Sequence, residues 1–432
     1  PAPHTFIRRS PAPRPVMKRS LDQWLQYQLS THPQAIAMGL ERVREVARRM
    51  HLLALPCQLI TVAGTNGKGS TVAFIEAIAK ASGFKAGTFT SPHFLRYNER
   101  IRIDGQDVAD ALLVEAFEAI EQARADIPLT YFEFGALAAL KIFAKAQLDV
   151  AVLEVGLGGR LDAVNILDAD VSVITTVDID HQAYLGDDRE AIGLEKAGIM
   201  RPGKPCILGE KDPPSSVLRH AYAQGVYCVR GYSDYLIDLA ADHWVWREPG
   251  FALELPYPQL KAPAQIQNAA CAVAALRAST LHIKAQAWAE GISHAKIIGR
   301  LQHWRSDPEV ILDVAHNRQS VAQLALWLES NPKPTNAVFC ALKDKDIPAM
   351  IEALRPFIGL WHVGVLHEPA GRCLGEQELN AILRQSLPES AYRLHESVPA
   401  AYQAALAGTP ADQRILVFGS FHTLEAVMRH AH

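Results

Sequence analysis

Unbroken apolar runs alternate with helix-spaced apolar positions through most of the chain. Runs at 60–63, 86–89, 150–155, 171–177 and 206–208 have no polar alternation, the mark of strands buried on both faces. Between them, 21–50 shows helical spacing broken around 38–43, and the stretch from Ser70 places Val72, Phe74, Ile75, Ile78 and Ala79 on one face before stopping at Gly83. Further helices are predicted at 107–124 and 132–146, and a small hairpin turns at Asp104-Gly105. The pattern loosens from 227 to 263, where prolines and aromatics suggest short antiparallel strands, and helices return at 266–276 and 285–293. A fresh series starts after Ile298-Gly299-Arg300: strands at 310–314, 337–340, 360–365 and 415–418, with helices at 321–328, 347–354, 376–387, 398–407 and the C-terminus. Strands alternating with helices predict a mostly parallel sheet covered on both faces. The expected organisation is an arm at 1–20, a larger α/β domain at 21–298 and a smaller Rossmann-like α/β domain at 299–432.

Composition narrows the function classes. At 432 residues the chain exceeds what one core usually supports, so two domains are expected. A net charge of −3 gives no footprint for nucleic acid. The six cysteines are scattered with no Cys-x-x-Cys pair, which suits a reducing cytoplasm better than a disulfide framework or a zinc site. No apolar run approaches a membrane span. The first twenty residues, rich in Pro and Arg, read as a flexible arm rather than a signal peptide, with Met17 a candidate natural start.

The chemistry concentrates in the stretch that follows the run at 60–63, where Gly64, Thr65, Asn66, Gly67, Lys68, Gly69 and Ser70 lead from a strand into a helix. Glycines let successive backbone N–H groups aim inward at phosphate, Lys68 adds a positive charge, and Ser70 or Thr71 offers a hydroxyl to Mg²⁺. Two residues rather than four separate Gly64 from Gly67-Lys68, so the spacing departs from the common P-loop. Ser91, Glu154 and His181 follow other predicted strands, and in a parallel sheet those ends form one crevice. Hydroxyl, carboxylate and imidazole suit a divalent cation that bridges nucleotide phosphates, although imidazole is an unusual partner for magnesium.

These residues form a longer pattern: GTNGKGS at 64–70, LEVGLGGRLDAVN at 153–165, Asp180-His181, EKAGI at 195–199 and DVAHN at 313–317. From about residue 21 to the C-terminus the chain resembles the folylpolyglutamate synthase family, whose architecture and ATP site are shared with the Mur ligases. The resemblance implies a Mur-ligase-like P-loop domain followed by the smaller domain, and an ATP-dependent ligation. ATP phosphorylates a carboxylate of dihydropteroate or of tetrahydrofolate, and the amine of L-glutamate displaces the phosphate.

By resemblance, Ser91 and Glu154 hold one Mg²⁺, His181 serves a second, and Lys196 is the lysine that becomes carbamylated. Asn268, Arg300 and Asp313 match positions for adenine, phosphates and ribose. Thr130 and Phe132 match the segment that packs on the pteridine, Asp162 a partner for its nitrogens, and His316 and Ser420 positions for the incoming glutamate. Two residues depart from the family pattern: Arg318 stands where proline is usual, and Leu301 where an aromatic is common. A monomer is expected. The rival readings are a Mur-type peptidoglycan amide ligase, for which little chain precedes Gly64, and an ATP-dependent switch or scaffold, which would not need Glu154, His181 and Lys196 together.

Overall fold

A computed structural model describes residues 19–430 except 33, 35, 260–261 and 368–370. Residues 1–18, with most of the arm and Met17, lie outside the described residues. Ser20 already belongs to the body of the protein, capping helix Leu21–Ser30 by accepting from Gln23 N, and the Arg19 guanidinium lies 4.0 Å from the Tyr27 ring centroid.

Eight strands form the large sheet: β1 (Gln58–Ala63), β2 (Ala86–Phe89), β3 (Ile101–Ile103), β4 (Gln106–Asp107), β5 (Val150–Glu154), β6 (Val171–Ile174), β7 (Pro205–Leu208) and β8 (Tyr227–Arg230). Their order is β4-β3-β2-β5-β1-β6-β7-β8, with β3 and β4 antiparallel and the other six parallel. The central strands are covered on both sides. Leu59, Ala63, Ala151 and Leu153 pack with Phe89, Phe117 and Phe134 on one face, while Ile60, Val62 and Val152 pack with Phe74, Ile75, Trp244 and Trp246 on the other. That two-sided burial is why these strands read as continuous apolar runs.

Strands β9 (Leu236–Leu239), β10 (His243–Glu248) and β11 (Phe251–Pro256) make an antiparallel sheet. It places Trp244 and Trp246 against the helices on the second face. The remaining strands are β12 (Gln302–Ser306), β13 (Glu309–Leu312), β14 (Thr335–Phe339), β15 (Ile358–Gly364), β16 (Tyr392–His395) and β17 (Arg414–Phe418). They form a six-stranded sheet ordered β12-β13-β17-β14-β15-β16, parallel except for β12.

Several element expectations need correction. β8 falls in the stretch read as antiparallel, yet it pairs parallel with β7. The run at 171–177 leaves the sheet after Ile174, because Thr176 turns to the glycine-rich loop: its carbonyl accepts from Thr65 N at 2.8 Å and its Oγ1 from Asn66 N at 3.1 Å. The helix expected from 107 begins at Asp110, since Asp107 pairs in β4. The 21–50 stretch divides into helices Leu21–Ser30 and Glu41–Arg49. Helices Gln182–Leu185 and Ser215–Gln224 and the edge strands β12 and β16 were not legible.

Candidate functional site

The order of the large sheet makes β2, β5, β1 and β6 consecutive neighbours, so the segments leaving their carboxyl ends face one cleft. β1 runs into Gly64, whose φ of 151° and lack of a side chain let it pass against Thr175. Gly67 caps helix Lys68–Ala81 at φ 86°, and a Cβ there would collide with Asn268 Oδ1. The loop is therefore shaped by glycine where a side chain would close it. Lys68 Nζ donates to Gly64 O at 2.9 Å and Thr65 O at 3.3 Å, bracing the turn. The Ser70 and Thr71 hydroxyls are buried and have no hydrogen-bond partner among the described residues.

Around this cradle, Ser91 N donates to Glu154 Oε2 at 3.1 Å, and Gly69 leaves room in front of the same carboxylate. Burial pushes the Glu154 carboxyl up, opposed by the Lys68 charge, and burial pushes Lys68 down, opposed by Glu154. His181 lines the same cleft. Its φ of 52° is left-handed, and burial lowers its imidazole to about 4. Lys196, on helix Arg189–Ala197, is only 3% exposed. Burial and then the neighbouring Lys68 charge lower its amine to about 7, an unusual state for a lysine and one in which an appreciable fraction is neutral at physiological pH.

Two spaces that share Asn66, Gly67 and Arg300 in their walls receive these groups. The larger, about 430 Å³, is lined by Thr65, Asn66, Gly67, Lys68, Gly69, Ser91, Glu154, His181, Lys196 and Arg300. The smaller, about 100 Å³, is lined by Asn66, Gly67, Ser70, Asn268, Arg300 and Asp313. Arg300 borders both, close enough to Asp313 and Glu154 for their charges to oppose the downward push of burial on its guanidinium. Asp313 accepts from Leu301 N and Ala315 N, both at 2.8 Å, while burial raises its carboxyl. Leu301, the departure after Arg300, is a buried residue at φ 44°. Arg318, the other departure, opens helix Arg318–Ser330 and reaches Asp346 at 3.1 Å. It occupies a first-turn position at which proline is tolerated, so the fold accommodates either residue.

The remaining candidates also meet the larger space. Thr130 caps helix Tyr131–Ala146, and Phe132 lies against Gly156, where a Cβ would come within 2.6 Å of its ring. Asp162 is committed to the backbone, accepting from Gly156 N, Leu157 N and Val164 N at 2.9, 2.9 and 3.1 Å. Burial nevertheless raises its carboxyl to about 6. From the other lobe, His316 Nδ1 lies 2.8 Å from Val314 O, and Ser420 Oγ accepts from Thr423 N at 3.0 Å.

Other wall residues have no role in the sequence analysis: Arg100, Lys345, Arg372, the segment Ile36-Ala37-Met38, and Asp180, which enters there only as part of the Asp180-His181 motif. Asp180 is the most connected. It binds Lys345 Nζ, accepts from Asn317 Nδ2 at 3.1 Å and His181 N at 2.8 Å, and lies 3.4 Å from His316 Nε2. Burial alone would raise its carboxyl, but the His316 hydrogen bond and the Lys345 charge hold it well below the usual range. Its place beside His181 was the one available signal. Asn66 crosses the same boundary, donating to Gln319 Oε1 at 2.6 Å and Asn317 Oδ1 at 3.2 Å.

The donors present suit Mg²⁺ and a nucleotide. Two orphaned hydroxyls begin the helix, a buried carboxylate faces Gly69, and the backbone loop is open to phosphate. Among the described residues no group of three or more His, Cys, Asp or Glu side chains is placed to hold a metal ion. A cation here must complete its shell with phosphate and water oxygens, as magnesium commonly does.

Comparison with known proteins agrees with this geometry. A model of the Mur ligase middle domain matches residues 62–235. The dihydrofolate synthase/folylpolyglutamate synthase of Escherichia coli (strain K12) is 42% identical over 411 residues, covering 94% of each chain. The Haemophilus influenzae protein of the same name is 37% identical over 425 residues, covering 94% of this chain and 96% of its own. Among solved structures, E. coli FolC in complex with DHPP and ADP has a TM-score of 0.89 at 41% identity, covering 95% of this chain and 97% of that one. A bifunctional folylpolyglutamate synthase/dihydrofolate synthase with Mn, AMPPNP and L-glutamate bound has a TM-score of 0.88 at 40% identity, with 96% and 98% covered.

Proposed function

Since the chain belongs to the dihydrofolate synthase/folylpolyglutamate synthase family, we propose that it uses ATP to ligate L-glutamate to dihydropteroate and to the γ-carboxylate of reduced folates. The observation that supports this most strongly is the meeting of Lys68, Glu154, His181, Lys196 and Arg300 on one cleft between two lobes, beside a smaller space lined by Asn268 and Asp313. A Mur-type peptidoglycan ligase is not favoured, because the folate ligases align along almost the whole chain.

The physical demand on the site is to bring anions together. A carboxylate held ~4 Å from one phosphate charge is repelled by about 4 kcal/mol at an effective dielectric near 20. Positive charge must cancel that repulsion without waiting for solvent to reorganise. Backbone N–H groups of the 64–70 loop cradle the phosphates, Lys68 lies along them, and Arg300 reaches them from the other lobe. Asn268 and Asp313 hold adenine and ribose. Ser91 and Glu154 would hold one Mg²⁺ and His181 a second. Bound there, the ions would polarise phosphoryl oxygens and screen the approaching carboxylate.

Thr130 and Phe132 would position the pteridine so that the acceptor carboxylate lies in line with the γ-phosphate, with Asp162 at the pterin nitrogens. The carboxylate oxygen attacks phosphorus and ADP leaves. The amine of L-glutamate, held by His316 and Ser420, attacks the acyl carbon, loses a proton and expels phosphate. In Lys196 the lowered amine favours addition of carbon dioxide, which turns a cation into a carboxylate-bearing group. All the named groups come from one chain, so a monomer suffices. Among the described residues no two cysteines are joined by a disulfide, which suits the cytoplasm.

The direct experiment is phosphate release in ATP, Mg²⁺ and L-glutamate, with dihydropteroate and tetrahydrofolate supplied in turn. Release that depends on both glutamate and acceptor is expected. Release independent of either substrate, or its absence with both acceptors, overturns the assignment.

A further inference from the structure

Arg100 closes the short 3₁₀ turn Tyr97–Arg100 before β3, and its carbonyl accepts from Thr90 N at 2.9 Å, fixing it beside Ser91. It is buried, yet it lines the large cleft. Its Nε donates to His93 Nδ1 at 2.8 Å, so His93 must present that nitrogen unprotonated. The Tyr97 and Tyr131 ring centroids lie 5.3 and 5.4 Å from the guanidinium carbon. Two rings and a neutral imidazole hold the group in place without neutralising it.

Among the described residues no carboxylate lies within ion-pair distance of Arg100 and neither Nη1 nor Nη2 has an acceptor, although its charge is felt at the Glu154 carboxyl. The other cations of the cleft are accounted for: Lys68, Lys196 and Arg300 belong to the nucleotide and metal region, Lys345 pairs with Asp180, and Arg372 with Asp344. The fork therefore opens on the cleft, and a planar fork fits a carboxylate through two parallel hydrogen bonds.

We propose that Arg100, oriented by His93, is the receiving group for a substrate carboxylate that does not react. The reacting carboxylate is the poorer partner, because a two-point guanidinium contact draws charge from the oxygens that must attack phosphorus and leaves each only its outer lone pair. This assignment rests on the folate-ligase reading. Two carboxylates of that chemistry are available, the α-carboxylate on the terminal glutamate of a folate acceptor and a carboxylate of the incoming L-glutamate. Dihydropteroate has only its reacting carboxylate, which gives the two sources different signatures.

The test compares wild type with Arg100→Gln and with Arg100→Lys, which keeps the charge and loses the fork. KM is measured for each acceptor, for L-glutamate and for ATP. Loss of a two-point charged contact is expected to raise one KM by roughly ten- to a hundredfold, with ATP unchanged. A rise for tetrahydrofolate that spares dihydropteroate assigns the acceptor's α-carboxylate. A rise for L-glutamate with both acceptors assigns the incoming substrate. Equal rises for both acceptors, or changes under twofold throughout, overturn the proposal. Calorimetric binding of L-glutamate and of tetrahydrofolate in the presence of AMPPNP and Mg²⁺ reads the same contact without turnover. Inactive wild type therefore counts against the enzymatic reading, whereas unaltered binding in the variants counts against Arg100. If Arg100→Gln does not fold, Arg100→Lys carries the test, with ADP affinity as the check on its integrity.

Discussion

The informative residues of this site are those whose environment contradicts their chemistry. Lys196 is an amine with almost no solvent and a cationic neighbour, so it favours neutrality. Lys196→Ala should remove most ligase turnover while leaving ADP binding close to wild type. An unmodified intact mass together with no response to bicarbonate would count against the carbamate role. Gly67 is constrained from the opposite direction, by space. Its φ of 86° and its contact with Asn268 leave no room for a methyl group, and a left-handed non-glycine residue carries strain of about 1–3 kcal/mol. Gly67→Ala should weaken ADP binding about tenfold or more, read by calorimetry, and the same strain should lower the melting temperature by a few degrees.

At the scale of elements, the strand ends supply the chemistry and the strand pairs hold it in place. Leucine, isoleucine and valine runs at β1, β5 and β6 were legible because burial on both faces removes polar alternation. The edge strands β12 and β16, with sequences QHWRS and YRLH, bury too little to leave that mark, and only pairing with β13 and β15 makes them strands. β13 and β17 are tied further by Glu309, which meets Lys333 and Arg414, each at 3.0 Å. Burial opposes ionisation of Glu309, but the two cations win and hold its carboxyl below the ordinary value of 4.5. A depressed carboxyl contributes stability above the unfolded value and loses it as pH falls through the folded one. Glu309→Gln should therefore lower stability by about 0.5–1 kcal/mol at pH 7, and the difference from wild type should shrink as denaturation is repeated at progressively lower pH below 4.5. A difference that stayed constant across that range would show that the contact is not electrostatic.

For the whole molecule, the question is what holds two lobes around one cleft. Asp180 from the loop after β6 meets His316, Asn317 and Lys345 of the smaller lobe, while Asn66 in the phosphate loop meets Asn317 and Gln319. Closure and nucleotide loop geometry thus share hydrogen bonds. Lys345→Met should lower stability by about 3–5 kcal/mol, the usual cost of removing one partner of a buried pair, and lower kcat by loosening the closed arrangement. It should leave ADP affinity largely intact and enlarge the radius of gyration by small-angle scattering; wild-type kcat with unchanged scattering would remove Lys345 from any role in closure. The sequence alone determined the alternation of strands and helices, the phosphate loop and the polar residues that follow each buried strand, because local periodicity and backbone chemistry are written in neighbouring residues. Tertiary structure alone decided that Asp180 joins the lobes, that Arg100 is left without a carboxylate and that Lys196 loses its water. Each of those outcomes depends on which groups become neighbours across scores of intervening residues, and charge, burial and partnership are properties of that neighbourhood rather than of the residue.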